Sequence, residues 1–187
     1  MRAWNSEYGQ REAQANTFAS YLLMPLDDFR TQTNGATISL VFMRELSERY
    51  EVSITAAILK WLSITQKRAM IVVSKDGFID WAWSSERLIR SGIFYRARQE
   101  VTPVPAGSLA ARNLQSETEL VEIHSAGIWP GQEHVHEFTM FAQRSDVVLT
   151  LLLYPDDAPV QFNDDDGDGD GDGLVATDER FASFGSK

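Results

Sequence analysis

Metal ligation is the chemistry this sequence spells most openly. Asp168, Asp170, Asp172 and Glu179 stand at positions 1, 3, 5 and 12 of a twelve-residue stretch, with Gly173 at position 6 and Val175 at position 8. Oxygen ligands, a glycine at the sharp bend and a terminal bidentate glutamate are what an EF-hand loop uses to hold calcium. The flanks do not complete that motif. Pro155 and Pro159 keep the preceding segment from being a helix, and Glu179–Phe184 is at most about two turns long. Asp-Gly low-complexity repeats also generate the pattern by themselves. A calcium loop and an acidic insertion are therefore both open readings.

Two further groups invite the same question. Glu12 and Asn16 are four residues apart, so on a helix they share a face. That face lies off the apolar stripe of Ala15, Phe18, Ala19, Leu22 and Leu26. Such a pair is free to do chemistry and equally free to be solvated. The three histidines are His124, His134 and His136. His136-Glu137 starts like His-Glu-x-x-His, but position 140 is Met, and the surrounding alternation is that of a strand. His134 and His136 share a strand face, within reach of one metal, and the only further ligands at hand are His124 and Glu133. The expectation is polar, outward-facing strand residues.

The run Glu12-x-Gln14-Ala15-Asn16-x-Phe18-Ala19-x-x-Leu22-Leu23-Met24-Pro25 resembles the second sequence block of the ImmA/IrrE family of zinc metallopeptidases. In that family a preceding helix carries His-Glu-x-x-His. Its two histidines and the glutamate of the second block hold zinc, and the first glutamate is the general base. The resemblance implies that Glu12 occupies the third zinc-ligand position. It also implies a repressor-type protein as substrate. The first block has no counterpart among the residues before Glu12. One carboxylate does not make a catalytic zinc site, which takes about three protein ligands and an open position for water. The expectation is a truncated or degenerate relative, inactive as given, that does not bind Zn²⁺ by itself. The alternative is a non-catalytic protein-interaction module, calcium-responsive through its tail.

Composition narrows the field. There are no cysteines, so disulfides and thiolate metal sites are excluded. No apolar run approaches the roughly 18 residues of a membrane span, and the N-terminus has no signal-peptide layout. A cytoplasmic protein without membrane contact is expected. Net charge is −10, and residues 164–187 hold eight acidic residues against Arg180 and Lys187. This balance does not favour direct contact with nucleic acid.

The elements that must carry these residues follow from periodicity and punctuation. Pro25 ends the first helix at Met24 or one residue earlier. Leu26–Arg30 is a short helical turn and Asn34-Gly35 a turn. Thr37 is expected to cap a helix over about 38–50, with Phe42, Leu46 and Tyr50 on one side. Ser53 caps the next, in which Ile54, Ala57, Ile58, Trp61 and Leu62 share a face. The pair resembles a helix-turn-helix. Between Ser53 and Thr65 its second helix offers bases and phosphates Lys60 alone, so packing is the expected role.

From Ala69 the period becomes two. Strands are expected at 69–74 and 78–83 around Lys75-Asp76-Gly77, then at about 92–101, 119–124, 134–142 and 147–153, with short helices near 84–91 and 107–112. The fold class is α+β: N-terminal helices, the remnant of a metallopeptidase domain and a helix-turn-helix-like pair, followed by an antiparallel sheet. The expected organisation is a helical segment at 1–66, a sheet domain at 67–155 and an acidic, disordered tail at 156–187.

Overall fold

The structure, a computed structural model, describes residues 18–95, 101–112, 116–143 and 146–156. It is α+β, with helices first and a six-stranded antiparallel sheet after them. The described residues fall into two compact units. One holds residues 18–36 with Tyr50–Val52, and the other holds Thr37–Arg49 and the residues from Ser53 onward. No helix among the described residues is long and apolar enough to cross a membrane.

In the first unit residues 18–23 are helical and the helix stops before Pro25, as the proline requires. The chain restarts at once as α1 (Leu26–Thr33), whose first turn carries Asp27 and Asp28 at the positive end of the helix dipole. Asn34 donates its N–H to Arg30 O, and Gly35 follows with φ +73°, a left-handed helix end that glycine adopts without strain. The Tyr50 hydroxyl donates to Asp28 Oδ2 at 2.7 Å, and the rings of Phe29 and Tyr50 lie 5.5 Å apart. The expected apolar stripe is not the buried one. Phe18 and Leu22 are 69% and 66% exposed, whereas Ser20 and Met24 are buried. Spacing identified residues sharing a face; it did not say which face is covered.

The second unit begins with α2 (Leu40–Arg49) and α3 (Ile54–Ile64). Thr37 does not cap α2. Ser39 Oγ accepts from Phe42 N at 3.1 Å, and the carboxylate of Glu119, from far along the chain, accepts from the N–H groups of Leu40 and Val41. Two of the helix's four orphan donors thus find a charged partner. Ser53 does cap α3, accepting from Ala56 N. Residues Ala57 to Leu62 are all buried, including Lys60 at 3% exposure.

The sheet comprises β1 (Ala69–Lys75), β2 (Phe78–Ser84), β3 (Thr102–Pro103), β4 (Leu120–His124), β5 (Val135–Ala142) and β6 (Val147–Leu153), in the order β3-β2-β1-β6-β5-β4. The β1–β2 turn has φ +51° at Asp76 and +81° at Gly77, the left-handed pair that a tight hairpin demands. Residues 92–95 are not a strand: Ser91-Gly92 ends the short helix α4 (Glu86–Arg90) and a loop follows. β1 is buried from Ala69 to Ser74, because both faces of the central sheet are covered. One face meets α2 and α3; the other packs a core that includes Met70, Val72, Leu88, Trp129 and Leu152.

Candidate functional site

The most concentrated polar chemistry among the described residues lies in the second core. β5 places Val135, Glu137 and Thr139 on one face, and all three are buried. Glu137 is fully buried and its two oxygens are saturated. Oε1 accepts from Ala110 N at 3.0 Å and Thr139 Oγ1 at 2.9 Å; Oε2 accepts from Leu109 N at 3.1 Å and Trp129 Nε1 at 2.8 Å. Leu109 and Ala110 lead into the 3-10 turn Ala110–Arg112, so the carboxylate caps that turn with two backbone bonds. Thr139 Oγ1 also meets Thr150 Oγ1 at 3.1 Å across the sheet.

His124, on the neighbouring strand, joins this cluster. Its ring is buried, with Nε2 2.6 Å from Glu137 Oε2 and Nδ1 3.8 Å from Glu122 Oε1. Nε2 makes no hydrogen bond of acceptable geometry, so this is a close contact and not a directed hydrogen bond. The expectation of an outward-facing polar residue is therefore wrong for His124. It shares the inward face of β4, and the 120s alternation hid this because its apolar members, Val121 and Ile123, are the exposed ones. Chemically, a carboxylate with four donors and no exposed edge holds structure together. It has no oxygen left to take a substrate proton.

A second buried charge stands just before the start of β1. Arg68 is 2% exposed and grips both oxygens of Glu133, with Nη2 donating to Oε1 at 2.7 Å. It also donates to Ser91 Oγ and Pro155 O, and its guanidinium lies 5.9 Å from the centre of the Tyr154 ring. Tyr154 donates its hydroxyl to Pro130 O at 2.9 Å, and burial pushes its phenol well above the ordinary value. Together these contacts pin the 125–134 loop to the start of β1 and the end of β6. A shallow cleft of about 340 Å³ opens beside Lys75, Asp76, Ala110, Phe141 and Asp146, where Lys75 and Asp146 pair at 3.3 Å in solvent.

Glu12, Asn16, Asp168, Asp170, Asp172 and Glu179 lie outside the described residues. His134 and His136 have ring centres 6.3 Å apart, and no three His, Asp or Glu side chains among the described residues are grouped as a metal would need. The described residues therefore do not supply the ligand set of a peptidase zinc. The Glu137 cluster was missed because a lone glutamate in an alternating strand reads as solvent-facing. Its fully buried threonine neighbours, Thr139 and Thr150, carry no stronger signal.

No curated protein matches the chain. A family model does, over residues 3–62, and it describes the IrrE N-terminal-like domain. The match contains the Glu12–Pro25 block and runs through α2 into α3, so it spans the first unit and reaches into the helices packed on the sheet. Over that N-terminal stretch the chain is similar to the IrrE N-terminal-like domain.

Proposed function

We propose that this chain is the C-terminal part of an ImmA/IrrE-type zinc metallopeptidase, in which Glu12 supplies one ligand to a metal whose other ligands lie outside this sequence. The observation that carries the reading is the family match over residues 3–62, which contains Glu12 in the block where the family places its third ligand. The histidine inventory agrees with it. His124 lies in β4, His136 in β5 and His134 just before β5, and none precedes Glu12. By itself the chain therefore has no peptidase activity, and in the complete assembly zinc would polarise a water for attack on a peptide bond. Family resemblance points to a helix-turn-helix repressor as the substrate.

The runner-up is a non-catalytic module that binds a protein partner, and one observation favours it. Phe18, Tyr21 and Leu22 stand at i, i+3 and i+4 with about half or more of each side chain in water. In the metallopeptidase reading that stripe is covered by the upstream helix.

One experiment separates the two. An extended form carrying an upstream His-Glu-x-x-His helix is prepared with and without Glu12→Gln, and zinc content and repressor cleavage are measured. The parent should hold one zinc and cleave, and the variant should lose metal affinity and cleavage together by at least tenfold. Equal cleavage by both would remove Glu12 from the metal site and leave the interaction module.

A further inference from the structure

The two edges of the sheet are guarded very differently. β3 is two residues long and contains Pro103, which cannot donate to a further strand. β4 runs for five residues, Leu-Val-Glu-Ile-His, paired to β5 in unbroken register. It holds no proline, no lysine and no bulge, and among the described residues nothing pairs with its outer side. Such an edge is a template for another strand.

We infer that β4 pairs with β4 of a second copy of this chain, antiparallel about a two-fold axis through Glu122. This goes beyond the peptidase reading and does not depend on it. The side chains on each face decide the occupant. On the helix-side face Val121 and Ile123 are 55% and 61% exposed, continuing inward to the half-buried Phe138 and His136. In the symmetric pairing Val121 of each copy lies opposite Ile123 of the other, so the apolar residues cover one another.

On the opposite face the two Glu122 carboxylates meet at the axis. Each already carries Arg112, whose Nη2 lies 2.8 Å from Oε2, at the surface. The axis thus collects two carboxylates and two guanidiniums, a neutral alternating set in place of a like-charge clash. A strand that is apolar on both sides of a neutralised centre is complementary to its own reverse, and an isologous contact requires that property. The ladder and its few side chains form a small interface, below about 1,200 Å², so the dimer dissociates on dilution.

Sedimentation equilibrium of the full chain between about 1 and 300 μM tests this. The expected result is a monomer at the low end and a dimer at the high end. Ile123→Lys and Val121→Lys, both at exposed positions, should each stay monomeric throughout with unchanged far-ultraviolet circular dichroism. Arg112→Glu should weaken the dimer at least tenfold, and the swap Arg112→Glu with Glu122→Arg should restore it. A wild-type chain that is monomeric across the range would overturn the proposal. So would a dimer whose constant the two lysine variants leave unchanged.

Discussion

The helix at residues 18–23 and the sheet sort their side chains in opposite senses. The helix shows Phe18, Tyr21 and Leu22 to solvent and buries Ser20, whose hydroxyl has no hydrogen-bond partner among the described residues. The sheet buries two charges, Glu137 and Arg68, and partners both. A buried charge is tolerated only where donors or counter-charges replace its water, and the sheet meets that condition within itself. An apolar stripe left in water is a face awaiting cover. The sheet thus satisfies its buried charges from within, while the helix leaves Phe18, Tyr21 and Leu22 largely exposed.

The comparison breaks most visibly at Glu137. Glu137→Leu leaves three buried donors unpaired at Leu109, Ala110 and Trp129, and Thr139 with Thr150 alone, so unfolding free energy should fall by about 4 kcal/mol or more in a urea titration. A loss under about 1 kcal/mol would mean that the sheet does not depend on its buried carboxylate.

The next effect in size is alkaline. The Tyr154 phenol is raised by burial, while in the unfolded chain it titrates near its ordinary value of about 10. Above that pH the unfolded state gives up a proton that the folded state keeps, so stability is full below about pH 10 and falls as pH rises further. The slope is about 1.4 kcal/mol per pH unit for one group. Tyr154→Phe should flatten the alkaline limb of the stability curve by that amount, measured against the parent between pH 9 and 11. An unchanged slope would detach Tyr154 from the loop at Pro130.

The smallest effect is expected at the helix. Phe18→Ser and Leu22→Ser change side chains already in water, so each should alter this chain's unfolding free energy by less than about 0.5 kcal/mol. A loss near the roughly 3–5 kcal/mol of a core phenylalanine would erase the contrast between the two regions.

Much of the sheet was legible because its signals are local. Asp76-Gly77 fixes one hairpin, Ser53 caps its helix, and alternation locates β5 and β6 to within a residue or so. What was not legible depends on residues far apart in sequence. Nothing near Glu137 announces that its donors come from 109, 110 and 129. Nothing near Thr37 reveals that the start of α2 is claimed by Glu119. Of the strand expected at 92–101, residues 92–95 are a loop for a local reason of another kind, and 96–100 lie outside the described residues. The Ser91-Gly92 helix end, with Gly92 at φ +75°, turns the chain there. The metal-ligand residues that the sequence singled out, Glu12 and the Asp168–Glu179 loop, fall outside the described residues, and the family match contains Glu12 but does not reach the loop.

The Glu119 contact has a consequence for how the molecule is made. Leu40 receives its acceptor from a residue 79 positions later, so during synthesis α2 has emerged long before the carboxylate that completes it exists. At about 5–20 residues per second that interval lasts several seconds, far longer than a helix takes to form and melt. Through that time α2 has neither β5, the strand on which it packs, nor the charge at its start. A nascent chain stalled before residue 119 therefore lacks both the carboxylate that completes the start of α2 and β5, the strand on which α2 packs, while Met43 and Leu46 are residues that the finished molecule buries.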